Sequence, residues 1–123
     1  MKRPNSLKDL KTCFTNAANR YQKPILIAET AFPWNTTTRG EKPIVGILPG
    51  KEGQVKFLQE LAAILKSVPN GRGVGIFYWA AEFQPLAGTS LAGFEGSSFF
   101  DDAGNALPVI KAFGQLAHAP DKR

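Results

Sequence analysis

The stretch Pro24-Ile25-Leu26-Ile27-Ala28-Glu29-Thr30 decides the fold of this chain of 123 residues. Its apolar residues follow one another without alternating polar residues, a pattern typical of strands that are buried on both faces of a parallel sheet. A second run of the same kind, Val74-Gly75-Ile76-Phe77-Tyr78-Trp79, lies further along the chain. The two runs predict a parallel pair of strands, which requires a helical crossover between them.

Amphipathic helix patterns flank both strands. Apolar residues at spacings of three and four predict a first helix over Leu7–Tyr21, and Ser6 followed by Asp9 indicates its capped start. A second helix pattern covers residues 55–68 and is stopped by Pro69-Asn70-Gly71. The predicted order is therefore helix, strand, helix, strand, with a further helix to follow.

The third helix pattern begins after Asn105, which we expect to cap it, with Pro108 tolerated in its first turn. We expect its buried stripe to consist of Leu107, Ile110, Phe113 and Leu116. Long proline- and glycine-containing segments, 31–53 and 80–104, separate each strand from the helix after it. Loops of this length are unusual in a compact domain unless they serve a site.

Two parallel strands are too few to form an independent sheet, and each would leave an unpaired apolar edge. Both long loops follow the carboxyl ends of strands, where α/β barrels and open sheets place their binding sites. The fold class is therefore α/β. Residues 1–123 are predicted to be one partial domain, the C-terminal quarter of a TIM (β/α)8 barrel, made of a helix and two parallel strand-helix units.

Composition excludes several classes of protein. Residues 1–23 hold six basic residues against Asp9 alone, which accounts for the whole net charge of +5, and the balanced remainder is unlike a nucleic-acid groove. No apolar run is long enough to span a membrane, and the first residues do not resemble a signal peptide. The single cysteine, Cys13, excludes an internal disulfide and a thiolate metal cluster, and we interpret it as a small apolar residue of the first helix.

Four side chains in the strand ends and loops could carry chemistry. Glu29 ends an otherwise apolar strand, so its carboxylate is expected at the mouth of the sheet and is the best candidate for catalysis. Trp79 ends the second strand, where an indole can stack on the apolar face of a sugar or simply fill the core. Trp34 in the first loop suggests ligand stacking or a subunit contact, and Glu82 in the second could face the same mouth. Tyr78 should point away from Trp79, into the core or the barrel wall.

The segment from Lys23 to Trp34 closely resembles the nucleophile strand and following loop of glycoside hydrolase family 53, the arabinogalactan endo-β-1,4-galactanases. Further segments resemble the same family in the correct order, namely Gly53-Gln54 at a helix start, Ser67–Gly73, Gly75–Trp79 and Phe99–Pro108. The resemblance covers most of residues 23–114 and rests on the combination of these motifs.

The resemblance implies a TIM barrel in which Glu29 is the nucleophile at the end of the seventh strand. It also implies that Trp79, ending the eighth strand, lines the subsite of the scissile sugar. The family's general acid/base is a glutamate in an Asn-Glu pair that ends the fourth strand, and this sequence contains no such pair. The common Trp-Glu-Pro of the family is here Trp79-Ala80-Ala81, with Glu82 following.

By resemblance, the substrate is a β-1,4-galactan or arabinogalactan, hydrolysed with retention, and no cofactor is implied. Bacterial members often bind calcium through Asp, His and Asn residues after the nucleophile strand. Residues 35–52 offer Asn35 and Glu41 but no Asp or His, so we predict no metal site. The family implies a secreted or periplasmic protein, although this sequence by itself does not indicate a compartment.

A partial barrel leaves three hypotheses open. The chain could be the nucleophile-bearing part of a galactanase that needs the missing N-terminal part of the barrel. It could instead be a non-catalytic carbohydrate-binding or interaction module that uses Trp34 and Trp79 as stacking platforms. In the third hypothesis, several copies associate and pair their strand edges.

Overall fold

The computed structural model describes residues 6–36, 42–84, 86, 88 and 94–117, with the backbone alone at 94 and 95. The elements in chain order are helix α1 (Leu7–Tyr21), strand β1 (Ile25–Thr30), helix α2 (Lys51–Lys66), a 3₁₀ turn (Pro69–Gly71), strand β2 (Gly73–Tyr78), a second 3₁₀ turn (Phe94–Ser97) and helix α3 (Pro108–Leu116). This order confirms the predicted alternation. None of the helices in these ranges is long and apolar enough to cross a membrane.

Helix α1 matches its predicted span because local signals define both of its ends. Ser6 Oγ accepts a hydrogen bond of 3.2 Å from the backbone N–H of Asp9 and donates one of 2.9 Å to its carboxylate. At the other end Gln22 adopts a left-handed conformation, with φ of 54°, and its N–H donates to the carbonyl of Ala18. Cys13 lies on this helix but is exposed, so it does not serve as an apolar packing residue.

Strands β1 and β2 pair in parallel, as predicted. Ile27 is the register partner of Ile76 and Thr30 is the partner of Tyr78, so β1 uses three residues where β2 uses two. The extra residue is a β-bulge between Ile27 and Thr30, and bulges bend a strand and change the direction of its side chains.

The two faces of the sheet have different surroundings. Ile76 and Tyr78 lie on the face that packs against the helices. On the other face, here called the open face, the side chains of Leu26, Phe77 and Trp79 are 50%, 62% and 44% exposed. Each strand is therefore covered on one face only, as expected of a partial barrel in which the remaining strands would be needed to cover the open face.

Helix α2 occupies the centre of the core. It contributes Phe57, Leu58 and Leu61 to a buried cluster that includes Phe32 of the first loop and Val109 of α3. Phe32 and Phe57 stack with ring centroids 4.7 Å apart. This packing joins α2 to the loop after β1, so the helix layer fixes the backbone that follows the strand.

Helix α3 begins later than its predicted cap. Its N-cap residue is Leu107, not Asn105, and Leu107 makes no side-chain capping bond. The backbone N–H and side-chain amide of Asn105 instead donate to the Asp101 carboxylate, at 2.8 and 3.1 Å. Ile110 is 36% exposed, so it does not belong to the buried stripe, where Val109 and Ala112 lie instead.

Candidate active site

Glu29 lies at the carboxyl end of β1 and is exposed. In a regular strand its side chain would lie on the same face as Ile25 and Ile27, the face that packs against the helices, because side chains alternate between faces. The bulge interrupts this alternation, and Ala28 and Glu29 are exposed in succession. Glu29 also borders an apolar groove of about 260 Å³ between α1, β1 and α2. Glu29 is therefore accessible to solvent at the carboxyl end of β1, and its predicted role in catalysis stays a prediction.

Trp79 follows directly on β2 and continues the strand pairing. Its backbone N–H donates to the carbonyl of Thr30 at 2.8 Å, which holds the ends of the two strands together. Its indole is 44% exposed and makes an edge contact with Phe83, with ring centroids 6.4 Å apart. Glu29 and Trp79 thus flank the register pair Thr30 and Tyr78 at one end of the sheet.

The loops that follow the two strands are bound to each other. The backbone N–H groups of Trp34 and Asn35 both donate to the carbonyl of Gly96, at 2.9 and 3.2 Å. The backbone N–H of Phe99 donates to the carbonyl of Ala81 at 2.8 Å. The bonds to Gly96 join the loop after β1 to the loop after β2, and the bond between Phe99 and Ala81 closes the second loop on itself. The backbone behind Glu29 and Trp79 is therefore one continuous support.

A buried polar cluster underlies this support. The phenol of Tyr78 donates to the carbonyl of Ser97 at 2.7 Å and accepts from the backbone N–H of Phe32 at 2.9 Å. The side-chain amide of Gln54 donates into the same cluster, within 3.0 Å of the Ser98 carbonyl. Burial raises the pKa of the Tyr78 phenol above its usual value, although hydrogen bonds with Phe32 and Gln54 lower it in part. The phenol consequently stays protonated and able to donate.

The sequence interpretation placed Tyr78 in the core or the barrel wall, and it named Gln54 only within a family motif, without a role. Tyr78 does point to the core side, opposite Trp79. Gln54 shares the apolar stripe of α2 with Leu58, Leu61 and Leu65, and it is completely buried. A lone amide in such a stripe is the signal that could have identified it, because a buried amide requires hydrogen-bond partners.

The other two predicted side chains lie nearby without forming a site with Glu29 in the described contacts. Trp34 is half-buried and packs against the core cluster, and the ammonium of Lys51 lies 5.9 Å from its ring centroid. Glu82 is exposed in the loop after Trp79. Their predicted roles in binding substrate stay predictions. Within the described ranges, no three His, Cys, Asp or Glu side chains lie close enough together to hold a metal ion.

Asp101 organises the end of the second loop. Its carboxylate accepts from the backbone N–H groups of Ala103 and Asn105, at 3.0 and 2.8 Å, and from the Asn105 side chain. The two hydrogen bonds from Asn105 are the main reason that the pKa of Asp101 lies below its usual value. The carboxylate therefore holds the turn before α3 in place.

Comparison with known proteins identifies the family of this chain. The sequence profile described as glycosyl hydrolase family 53 matches residues 2–113. The chain belongs to this family of glycosidases. An arabinogalactan endo-β-1,4-galactanase of Cellvibrio japonicus is 32% identical over a 122-residue alignment that covers 88% of this chain. The corresponding enzyme of Thermothelomyces thermophilus is 31% identical over 116 residues and 90% of this chain.

Solved structures of the family show the same architecture. The family 53 catalytic domain of Ignisphaera aggregans superposes with a TM-score of 0.77 at 29% identity and covers 92% of this chain. A fungal β-1,4-galactanase superposes with a TM-score of 0.59 at 28% identity. The present chain thus contains part of a TIM barrel, with one helix and two parallel strand-helix units.

The chain spans only about a third of the length of the relatives it matches. It covers 32% of the Cellvibrio japonicus enzyme and 36% of the Ignisphaera aggregans domain. Two of the eight strands of a TIM barrel are present in the described part of the chain. The open face and the unpaired edges of β1 and β2 are therefore the surfaces that the other six strands would cover.

Proposed function

We propose that this chain is the nucleophile-bearing segment of a retaining endo-β-1,4-galactanase. The observation that carries the proposal is the accessible carboxylate of Glu29 at the carboxyl end of a barrel strand, in a chain of a glycosidase family. Glu29 attacks the anomeric carbon of the bound sugar and forms a covalent glycosyl-enzyme. Water then attacks the same carbon, and the sugar leaves with its original anomeric configuration.

Glu29 cannot perform both halves of this reaction. Retaining hydrolysis uses a second carboxyl group, about 5 Å from the first, which protonates the leaving oxygen and later deprotonates the water. The sequence lacks the Asn-Glu pair that carries this group in the family. We assign the general acid/base to the part of the barrel outside this chain.

Trp79 is proposed to bind the sugar at the point of cleavage. Its half-exposed indole stands at the same end of the sheet as Glu29, on the open face that becomes the inside of a complete barrel. An indole face stacks on the C–H groups of a sugar ring, which galactose offers on one side. Trp34 and Glu82, in the loops after the two strands, are proposed to contribute at neighbouring positions.

The partner of this chain is proposed to be the remaining six strands and five helices of the barrel. The open face exposes Leu26 and Phe77, and their burial at about 25 cal/mol per Å² favours association. An apolar groove of about 400 Å³ between α2, β2 and α3 also offers Val74 and Phe113 for packing. Without this partner, copies of the chain are expected to associate through the same surfaces.

Complementation tests both parts of the proposal. The chain is mixed with a separately produced piece of the Cellvibrio japonicus galactanase that carries its first six strands. We expect a one-to-one complex by mass in solution and release of oligosaccharides from β-1,4-galactan. Glu29→Gln should form the same complex but lower kcat by at least about 10³-fold, since no covalent intermediate can form. Glu60→Gln removes an exposed carboxylate on α2 and is the matched control.

Each outcome bears on a separate part of the proposal. Full activity of Glu29→Gln in the complex would show that the nucleophile is another residue. Failure of the two pieces to associate would contradict the argument from the open face. Binding of galactan without hydrolysis, lost in Trp79→Ala, would favour the non-catalytic binding module, for which the exposed Trp79 is the supporting observation.

A further inference from the structure

The side chain of Gln54 lies where three segments of the candidate site meet. It belongs to the first turns of α2 and has no exposed surface. Its Nε2 atom is 3.0 Å from the carbonyl oxygen of Ser98, 3.1 Å from that of Ser97 and 3.3 Å from that of Phe32. The phenol oxygen of Tyr78 is 3.2 Å away. One amide therefore connects the loop after β1, the end of β2 and the loop after β2.

Three carbonyl oxygens converge on the position of the Gln54 side chain. Carbonyl oxygens only accept hydrogen bonds, so the group between them must be a donor. Within the described part of the chain, Gln54 Oε1 is buried without a hydrogen-bond partner. The amide is thus held by its donor end. An apolar side chain of the same length would fill the space but leave the single phenol hydrogen of Tyr78, which reaches only the Phe32 and Ser97 carbonyls, as the remaining donor of this cluster.

The groups that Gln54 holds are close in sequence to the two site residues. Phe32 follows Glu29 by three positions, and Tyr78 directly precedes Trp79. Tyr78 also bridges the N–H of Phe32 to the carbonyl of Ser97, so phenol and amide form one cluster. Moving this cluster would move the backbone on both sides of the mouth.

We propose that Gln54 is a positioning residue of the galactanase site, which acts through Tyr78 and the two loops to fix Glu29 and Trp79. The inference rests on the proposed function for its catalytic consequence, and on the hydrogen-bond geometry for its effect on the loops. A displacement of about 1 Å at a reacting group can lower a rate by about 10²-fold. Gln54 is consequently expected to matter for kcat although it touches no substrate.

The first measurement uses the 123-residue chain by itself. Gln54→Met keeps the length of the side chain and removes the donor, and Gln59→Met on the exposed side of the same helix is the matched control. Hydrogen exchange followed by NMR reports on the amides of Trp34 and Trp79, which donate to Gly96 and Thr30. In Gln54→Met we expect these amides to exchange at least tenfold faster, with the amides of α1 unchanged. Equal acceleration throughout the chain would show a merely structural role and overturn the proposal.

The second measurement uses the complex with the six-strand piece. We expect Gln54→Met to lower kcat by about 10- to 100-fold, with the amount of complex unchanged. Gln54→Glu keeps the shape but offers at most one hydrogen-bond donor where the amide offers two, and should also lower kcat. An unchanged kcat in both variants would overturn the proposal. If the unaltered complex has no activity, the proposed function fails, and the exchange measurement still decides whether Gln54 orders the two loops.

Discussion

Replacing Tyr78 with phenylalanine removes one oxygen atom from the base of the site. The phenol accepts from the Phe32 N–H at 2.9 Å and donates to the Ser97 carbonyl at 2.7 Å, with the Phe32 carbonyl also 3.0 Å away. The aromatic ring remains, with its contact to Phe99 at 4.4 Å between centroids. The substitution therefore tests the hydrogen bonds without opening a cavity.

The expected loss in the free energy of unfolding depends on whether the groups that bonded to the phenol find other partners. Phe32 has no exposed surface, so its N–H is not reached by solvent once the phenol is gone. A buried donor without a partner costs about 1–3 kcal/mol. The two hydrogens of the Gln54 amide are then the remaining donors for the carbonyls of Phe32, Ser97 and Ser98. We expect Tyr78→Phe to lower the free energy of unfolding by about 2 kcal/mol.

The chain provides its own control, since it has two tyrosines. Tyr21 is 62% exposed at the end of α1, with the guanidinium of Arg20 5.4 Å from its ring centroid. Tyr21→Phe makes the same chemical change and should cost less than about 0.5 kcal/mol. Urea unfolding of dilute protein, followed by far-ultraviolet circular dichroism, gives both values. Equal stabilities of the two variants would refute the conclusion that the hydrogen bonds of the Tyr78 phenol stabilise the fold.

The Tyr21→Phe variant also isolates the ionisation of Tyr78. Absorbance of tyrosinate should appear above the ordinary pKa of about 10, because burial disfavours the charged form. A pKa that is raised on folding means that the native state holds the proton more tightly than the unfolded state does. The stabilisation is complete below about pH 10 and is lost as pH rises through the native pKa. Titration of the phenol at or below its ordinary value would contradict this account.

Two further predictions concern the turn before α3 and a close backbone approach. Because folding lowers the pKa of Asp101, its stabilising effect is present above about pH 4 and is lost as pH falls through the native pKa. Asp101→Asn should flatten the dependence of stability on pH in that range, and an unchanged slope would contradict the role of the bonds from Asn105. A Cβ atom at Gly73 would overlap the backbone carbonyl of Leu65, so Gly73→Ala should destabilise by more than about 2 kcal/mol. Gly114→Ala, with open space around it, should instead stabilise by about 0.5–1 kcal/mol, and equal melting temperatures for the two variants would refute the clash.

Local sequence signals were sufficient for the order of the helices and strands and for the position of one candidate site residue. Helix α1 has the predicted bounds because Ser6 and Gln22 satisfy its terminal backbone groups within a few residues of the helix. The continuous apolar runs predicted two parallel strands, and a charge at the end of one of them marked Glu29. Each of these inferences depends on interactions between residues close in sequence, which a pattern can record.

Contacts between distant segments decided the remainder. Asn105 could cap a helix or bond to Asp101, and the path of the second loop selects the second arrangement, so α3 begins at Pro108. The bulge before Thr30, a segment in which Ala28 and Glu29 are exposed in succession, appears only when β1 is paired with β2.

The buried cluster around Gln54 depends most clearly on contacts between segments that are distant in the sequence. Gln54 has the spacing of an apolar stripe in the sequence, and only the folded chain brings the carbonyls of Phe32, Ser97 and Ser98 around its amide. The free energy of a buried amide depends on whether it meets acceptors, and these come from residues 22 to 44 positions away. The sequence by itself determined the elements and the placement of Glu29 at a strand end. Tertiary structure determined how the loops around Glu29 are held.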